Sequence, residues 1–432
     1  MIDSIFSLLL EHDARVGQAI NLVASENRLS PAARIALLSD VYGRYYLDDL
    51  KLFGTWCFHG GKQVCAIEHE ILHPLLQRLA RAEYVNTRPI SGINCMAVAL
   101  AATSEPGDSI LTLAMAHGGH ASTRVIAGQM GRKVYELPML SPHDIDLDAF
   151  VHALESHDPA LVYIDQATLL FPLDVAPLRE AIDGLKSRAI VHYDSSHLNG
   201  LILGGATANP LERGAHMFGG STHKTLPGPH KGFLVTNDER LASRIEVMAS
   251  HLISHHHSGE AAALAITLAE FESCGGPVYA ARVIENARAF AGKAHRGGLL
   301  VAEHDRGFTS CHQVWLTPPQ ELAIADLAAR LEACGIVVNS FQGLPGISAP
   351  SFRISLAEAT RMGANTAEAE AIADLFVEII GSPDAESDAR TRGRRLASRL
   401  SVPHYCVKLH DIDLPGLKTY GDQLRSFLGD PA

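Results

Sequence analysis

The sequence predicts an α/β protein: a buried, mainly parallel sheet flanked by helices, followed by a smaller α+β unit. Three observations predict it. Between about residues 80 and 235, short apolar runs rich in Val, Ile and Tyr alternate with Ala/Leu-rich helical stretches, the pattern of strands covered on both faces. From about 300 to 382, strand-like and helix-like segments mix, as in an α+β layer. The chain has 432 residues, 47% apolar and 19% charged. That is a globular composition with room for two or three units at roughly 150 residues each.

Residues 1–17 (MIDSIFSLLLEHDARVG) read as a short amphipathic helix, with acids where a signal peptide needs basic residues. The expected strands of the large unit are SILTLAMA (109–116), KVYELPML (133–140), ALVYIDQA (160–167), AIVHYDSS (189–196) and GFLVTN (232–237). Each is short, apolar and bounded by turn or polar residues. Helix follows in EAAALAITLAEFES (260–273) and VYAARVIENARAFAGKAHRGG (278–298). The second unit offers strands in FTSCHQVWL (308–316), IVVNSF (336–341) and SFRISLA (351–357), and helices over 321–335 and 367–381. The polar segment SPDAESDARTRGRR (382–395) reads as a surface linker into a final helix.

Composition excludes several classes of function. The net charge is 36 minus 48, or −12 with His neutral, which makes a poor general binder of nucleic acid or anionic membrane. The longest apolar runs, such as LILGGATA, fall far short of the roughly 20 residues of a membrane span. Seven scattered cysteines without a CxxC pair argue against a disulfide framework and a zinc module. The expectation is a cytoplasmic protein, with no nucleic acid, no membrane and no metal.

Chemistry concentrates in a few segments. In Ser221-Thr-His-Lys-Thr-Leu-Pro-Gly-Pro-His-Lys-Gly232, Lys224 sits among small and hydroxyl residues before a Gly/Pro-rich turn. A lysine so held can form a Schiff base with an aldehyde cofactor, though the segment also reads as a surface turn. Asp194 ends the apolar run AIVHYD. A strand-end carboxylate can pair with the ring nitrogen of a pyridoxal cofactor, or it can cap a helix. His120 in Ala116-His-Gly-Gly-His120 could stack on a cofactor ring or be structural. Ser91 and Gly92, in Pro89-Ile-Ser-Gly-Ile-Asn94, open a helix whose amides could hold a phosphate. Arg353, in SFRIS, could clamp a carboxylate or make a surface salt bridge.

Their order resembles that of fold-type I pyridoxal-phosphate enzymes, and one family in particular. LVASEN (22–27), AHGGH, YDSSHLNGLILGG (193–205), STHKTLPGPHKG and FRISLAEATRMG (352–363) resemble the serine hydroxymethyltransferase family, including its folate-independent relatives, the L-threonine transaldolases. The resemblance spans about residues 18–410. It implies an aspartate-aminotransferase-like fold with a mainly parallel seven-stranded sheet. It also implies an N-terminal arm (1–30), a large cofactor domain (31–270), a small C-terminal α+β domain (271–385), and a linker and tail (386–432).

Carried onto this chain, the resemblance makes Lys224 the Schiff-base lysine, Asp194 the partner of the pyridine nitrogen and His120 the stacking residue. His197 would lie near the cofactor's phenolic oxygen or the substrate. Ser91 and Gly92 would contact the phosphate, and His223 would be a phosphate or positioning contact. Ser25 and Arg353 would bind the amino acid. A homodimer with shared active sites is implied, in which Tyr46 (or Tyr45) and the loop bearing Ser254 and His255 reach the neighbouring copy's cofactor. The triple His255-His256-His257 reads as part of that loop, since three adjacent residues cannot all face one metal ion. The cofactor is pyridoxal 5'-phosphate.

The chain departs from the hydroxymethyltransferases in specific places. Where they carry a glutamate, this chain has Tyr45-Tyr-Leu-Asp-Asp49, with Asp48 or Asp49 as a shorter substitute. A Trp56-Cys-Phe58 pattern replaces their Arg-Tyr-Tyr, Pro227 replaces an arginine, and Ile93 replaces a serine. Lys-Thr-Leu-Pro-Gly-Pro (224–229), Arg88-Pro89, Asp165-Gln166 and the run Gly307–Val314 run toward the transaldolases. The resemblance therefore implies retro-aldol cleavage of L-threonine through a glycine quinonoid and transfer of the glycyl unit to an acceptor aldehyde. His120, His197 and Asp48 or Asp49 are the base candidates. A serine (or α-methylserine) hydroxymethyltransferase using tetrahydrofolate, a threonine aldolase or racemase, and a catalytically idle paralogue are the alternatives.

Overall fold

A computed structural model of the chain describes residues 1–319, 323–381 and 386–408. The side chains of Asp49, Leu52 and Glu386 lie outside the described set, as do residues 321–322 of the expected helix and the tail from 409.

The large unit is built on seven strands: β1 (Tyr84–Asn86), β2 (Ser109–Thr112), β3 (Lys133–Glu136), β4 (Leu161–Ile164), β5 (Ile190–Asp194), β6 (Met217–Ser221) and β7 (Gly232–Thr236). Their spatial order is β1-β7-β6-β5-β4-β2-β3. β7 runs antiparallel to both of its neighbours and the other pairings are parallel. Every residue of β4, β6 and β7 is buried, because helices cover both faces. One face meets a cluster around Leu111, Val162, Val191 and Phe233, and the other a cluster around Ile110, Leu161, Tyr163 and Leu234. Each such side chain contributes about 1.5–3 kcal/mol when fully buried. Edge strand β3 carries exposed Lys133 and Glu136, charges that discourage pairing with another chain.

Five of these strands lie in or beside the runs expected from sequence, with two refinements. KVYELPML divides into β3 and a separate hairpin of Met139–Ser141 with Asp144–Ile145, since Pro138 cannot donate to the main ladder. IVVNSF divides likewise: Ile336–Val337 pairs in parallel with Ile20–Asn21, and Asn339–Phe341 joins the smaller sheet. The expected helices appear as Ser258–Ser273 and Gly276–Arg296. Gly275, at φ 88°, makes the break between them and Pro277 restarts the helix.

The smaller unit is a four-stranded antiparallel sheet of β8 (Leu300–Val301), β9 (Gln313–Thr317), β10 (Asn339–Phe341) and β11 (Ser351–Ser355), in the order β8-β9-β11-β10. Helices Gly276–Arg296 and Thr366–Gly381 pack together over one core with it, with Phe290 and Phe376 edge to face at 5.2 Å. The segment read as a polar linker is instead helical over Glu386–Arg399. Ala389, Leu396 and Ala397 are its buried stripe on the small-unit core, too sparse a set to stand out among its charges. Helix Ile2–Val16 buries none of its residues, and Ile5, Phe6, Leu9 and Leu10 are exposed. Among the described residues no helix is long and apolar enough to cross a membrane.

Candidate active site

The loops leaving the carboxyl ends of β1, β2, β4, β5 and β6 converge on a cavity of about 230 Å³, where open α/β sheets hold ligands. Ser91, Gly92, His120, Asp165, Asp194, His197, Ser221, His223 and Lys224 are among its lining residues. The structure thus brings together seven of the residues singled out from sequence, drawn from positions 91 to 224.

Asp194 is the last residue of β5 and caps no helix. Its Oδ2 accepts from the Tyr163 hydroxyl at 3.0 Å and its Oδ1 from the Ser196 amide at 2.9 Å. Two donors hold the carboxylate in one orientation. Gly220 makes room for it: a Cβ there would lie 2.2 Å from Ser196 Oγ and 2.8 Å from Asp194 Oδ1. Gly220→Ala is therefore expected to lower Tm by the equivalent of about 1–3 kcal/mol, the usual cost of overpacking. A thermal melt unchanged from wild type would contradict the crowding.

Lys224 lies in the loop after β6, and its main chain is pinned. Asn27 Nδ2 donates to its carbonyl at 2.6 Å, and the Tyr279 hydroxyl donates to the next carbonyl, of Thr225, at 2.9 Å. The Thr225 hydroxyl donates to His197 O at 3.0 Å. Burial lowers the amine to a pKa of about 8, with Asp194 opposing and Arg353 adding to the shift. The shift enlarges the neutral fraction available near neutral pH, which is what a Schiff-base lysine needs.

Ser91 caps helix Gly92–Thr103, its Oγ accepting from Asn94 N at 3.2 Å. The helix start faces Ser196 and Ser221: a Cβ on Gly92 would lie 3.1 Å from Ser196 Oγ and 3.4 Å from Ser221 Cβ. Ser221 Oγ and His223 Nδ1 are buried without a partner. Unpaired polar atoms beside a helix N-terminus suit an anion. These residues fit the phosphate of the cofactor that the sequence implies.

His120 caps helix Ala121–Gln129 and is fixed twice. Its Nδ1 accepts from Ser122 N at 3.2 Å, and its amide donates to Asp165 Oδ2 at 3.0 Å. Burial lowers its pKa, so the ring is neutral. His197 is also held neutral by burial, with the Lys224 and His312 charges adding to the effect. Its ring stacks on His312 at 5.4 Å, Nδ1 lying 3.3 Å from His312 Nε2. Arg353, on β11, reaches across from the smaller unit. Its Nη1 donates to Ala167 O at 3.1 Å and Thr168 Oγ1 at 3.2 Å, while its buried Nε has no partner. Burial lowers even this guanidinium to about 10.

Three groups of sequence-selected residues stand apart. Ser25 lines a neighbouring cavity of about 550 Å³ that shares His223 with the first. Tyr46 and Asp48 lie in a buried charged cluster, where Asp48 Oδ1 accepts from the Tyr46 hydroxyl at 2.7 Å. Ser254 and His255 sit on the loop beside Tyr45, whose ring lies tilted against that of His255 at 4.7 Å. His255 and His257 stack at 4.1 Å. Among the described residues, no group of three or more His, Cys, Asp or Glu could hold a metal ion.

The structure adds Asp165, Gln166, Ser196, Ser221 and His312 to the site. Asp165 is pushed up to about 8, chiefly by burial, with Asp194 adding to it. It accepts from the His120 amide and the Thr123 and Thr112 hydroxyls, a strut beneath the His120 turn. The signal for it was present in the sequence: Asp165 directly follows its apolar strand, much as Asp194 ends the next one.

Comparisons with known proteins bear on what this cavity does. The serine hydroxymethyltransferase family profile matches residues 2–375. An L-threonine:uridine-5'-aldehyde transaldolase of an Amycolatopsis species is 38% identical over 394 residues, covering 90% of this chain and 94% of that protein. A serine hydroxymethyltransferase of Methanopyrus kandleri is 33% identical over 398 residues, covering 90% and 91%. The crystal structure of an L-threonine transaldolase from Pseudomonas fluorescens, in an internal aldimine state, superposes with a TM-score of 0.87 at 26% identity, covering 98% of this chain and 97% of that one.

Proposed function

The chain belongs to the serine hydroxymethyltransferase family of pyridoxal-phosphate-dependent transferases and aldolases, and from that membership we propose that it is an L-threonine transaldolase. It would cleave L-threonine to acetaldehyde and pass the glycyl unit to an acceptor aldehyde, forming a new β-hydroxy-α-amino acid. The observation that carries this reading is the 38% identity, over nine-tenths of both chains, to an enzyme whose name states that chemistry.

Pyridoxal phosphate, when bound, supplies the electron sink for the pair left at Cα when the Cα–Cβ bond breaks. The chain's residues supply the rest. Lys224 would hold the cofactor at its aldehyde. Asp194, oriented by Tyr163 and Ser196, would hold the proton on the ring nitrogen. His120 would lie against the ring. Ser91, Gly92, Ser221 and His223 would hold the phosphate. Arg353 and Ser25 take the amino acid carboxylate, which turns the bond to be broken toward the ring face.

A base must take the β-hydroxyl proton as that bond breaks and return it to the new alkoxide. His120 and His197 are neutral and can accept it. His120 is the better placed of the two, because His197 is committed to the His312 stack. Asp48 already meets Tyr46 and His69 at 2.7 and 2.6 Å and Arg88 at 3.2 Å, away from this cavity. Tyr46, Ser254 and His255 complete the cofactor site of a second copy in a homodimer. The segment 45–60 and the loop 251–258 shape the acceptor's place there.

The test is spectroscopic. The purified protein should acquire a visible absorbance band with pyridoxal phosphate, and the band should change on adding L-threonine without tetrahydrofolate. A band that responds only to L-serine with tetrahydrofolate would return the protein to hydroxymethyl transfer. The 33% identity to a hydroxymethyltransferase keeps that reading in play.

A further inference from the structure

Away from the cavity, five charged residues from distant parts of the chain are buried together: Asp48, Glu68, Arg88, Lys231 and His256. His256 is the hub. Its Nδ1 lies 2.9 Å from Glu68 Oε2, and its Nε2 lies 2.9 Å from Asp48 Oδ2, an ion-pair distance off the line of a hydrogen bond. Lys231 Nζ donates to His256 O at 2.8 Å. Arg88 donates to Asp48 Oδ2 at 3.2 Å and to Ile253 O at 3.3 Å. The Thr87 hydroxyl donates to Glu68. Glu68 itself sits on a π-helical turn, Ile67–Leu72, a geometry frequent at functional sites. Buried ion clusters are a weak source of stability, because well-packed apolar residues often serve as well or better. This cluster asks for another role.

Its connections supply one. Gly232, next to Lys231, donates its amide to Pro89 O at 2.8 Å, and Pro89 follows Arg88 and precedes the Ser91 turn by one residue. Lys231 O accepts from the amide and the hydroxyl of Thr222, both at 3.0 Å, two residues before Lys224. The two loops that carry Ser91–Gly92 and Ser221–Lys224 are thus tied to each other and to the cluster. On its other side the cluster holds Tyr46, whose ring lies 4.3 Å from that of His256 and whose carbonyl accepts from the His256 amide at 3.3 Å.

We propose that His256, clamped between Asp48 and Glu68, is a positioning residue: it locks segment 46–48 and loop 253–256 onto Arg88 and Lys231, and through them fixes the loops that hold the cofactor's phosphate. The inference rests on the cofactor reading given above and goes beyond it. Burial works against an imidazolium, but the Glu68 and Asp48 carboxylates outweigh it and raise His256 above the ordinary histidine value. The groups facing it are Tyr46 and Asp48 from one segment, Glu68 from the π-turn, with His69 and His73 beyond, and Arg88 and Lys231 from the floor. Glu246 lies behind Arg88, Glu260 acts on Lys231, and His255 and His257 flank it on its own loop. The clamp is fully present below the ordinary histidine value and is lost as pH rises through the raised one.

The experiment is titration of the apoprotein with pyridoxal phosphate across pH, reading Kd from visible absorbance. Wild-type affinity should fall as His256 loses its proton. Glu68→Gln should move that fall to lower pH, and His256→Gln should abolish it while weakening binding about tenfold at pH 7, within the coupling expected of residues in one buried network. The titration of Lys224 is common to all three proteins and cannot move the step. A step at the same pH in either folded variant overturns the proposal. Failure of the wild type to bind the cofactor at any pH overturns both this inference and the functional reading beneath it.

Discussion

Replacing Lys224 with glutamine is expected to abolish the visible band with pyridoxal phosphate and to cut L-threonine cleavage by at least about 10³-fold, the scale on which covalent catalytic groups act. The argument is local. The loop 221–228 is pinned by Asn27, Thr225 and Tyr279, so the substitution should leave the fold intact and remove only the amine. That amine is depressed to about 8 by burial. Below that value it is mainly protonated and cannot attack an aldehyde. In the wild type the rate of cofactor attachment should therefore rise with pH and level off above about 8. A coloured Lys224→Gln protein with near-normal turnover would mean that another group holds the cofactor.

Asp194→Asn is expected to reduce kcat/KM for L-threonine by about 10²–10³-fold, equivalent to the roughly 3–5 kcal/mol lost when one member of a buried charge pair is removed. Asparagine matches the volume, so the neighbouring Gly220 and Ser196 are not crowded. It cannot carry the charge that keeps a ring nitrogen protonated. One amide hydrogen must also face either the Ser196 amide or the Tyr163 hydroxyl, which now donate to the two carboxylate oxygens. The loss should appear in steady-state kinetics with the far-UV spectrum unchanged. A change of less than about threefold in kcat/KM would remove Asp194 from the cofactor's chemistry.

The site was legible where chemistry follows local pattern. Asp194 and Lys224 were readable because an apolar strand ending in a carboxylate, and a lysine between hydroxyl residues and a Gly/Pro turn, are short-range features. Where structure depends on distant contacts, the sequence was silent. β6 contains Gly219 and Gly220, residues of poor strand propensity. They stand there because a Cβ on Gly219 would lie 2.0 Å from Phe233 O and one on Gly220 would collide with Ser196. β1, only three residues long, is too brief for periodicity to register. Helix Glu386–Arg399 hides its small apolar stripe among charges. The cluster around His256 joins residues 188 positions apart, and no spacing rule reaches that far. Ser25, Tyr46, Ser254 and His255 were selected by resemblance. None of the four lines the Lys224 cavity: Ser25 lies in the neighbouring cavity that shares His223, and the other three lie on segment 45–46 and loop 254–255.

The measurement that tests the central claim most directly is product analysis. The protein, loaded with pyridoxal phosphate and free of tetrahydrofolate, is given L-threonine and an acceptor aldehyde. Acetaldehyde and the new amino acid are then quantified by mass spectrometry. The transaldolase reading predicts acetaldehyde in equal amount to a β-hydroxy-α-amino acid whose mass is that of glycine plus the acceptor. Release of acetaldehyde with glycine alone, whatever acceptor is offered, would make the protein an aldolase. Turnover of L-serine only in the presence of tetrahydrofolate would contradict the account.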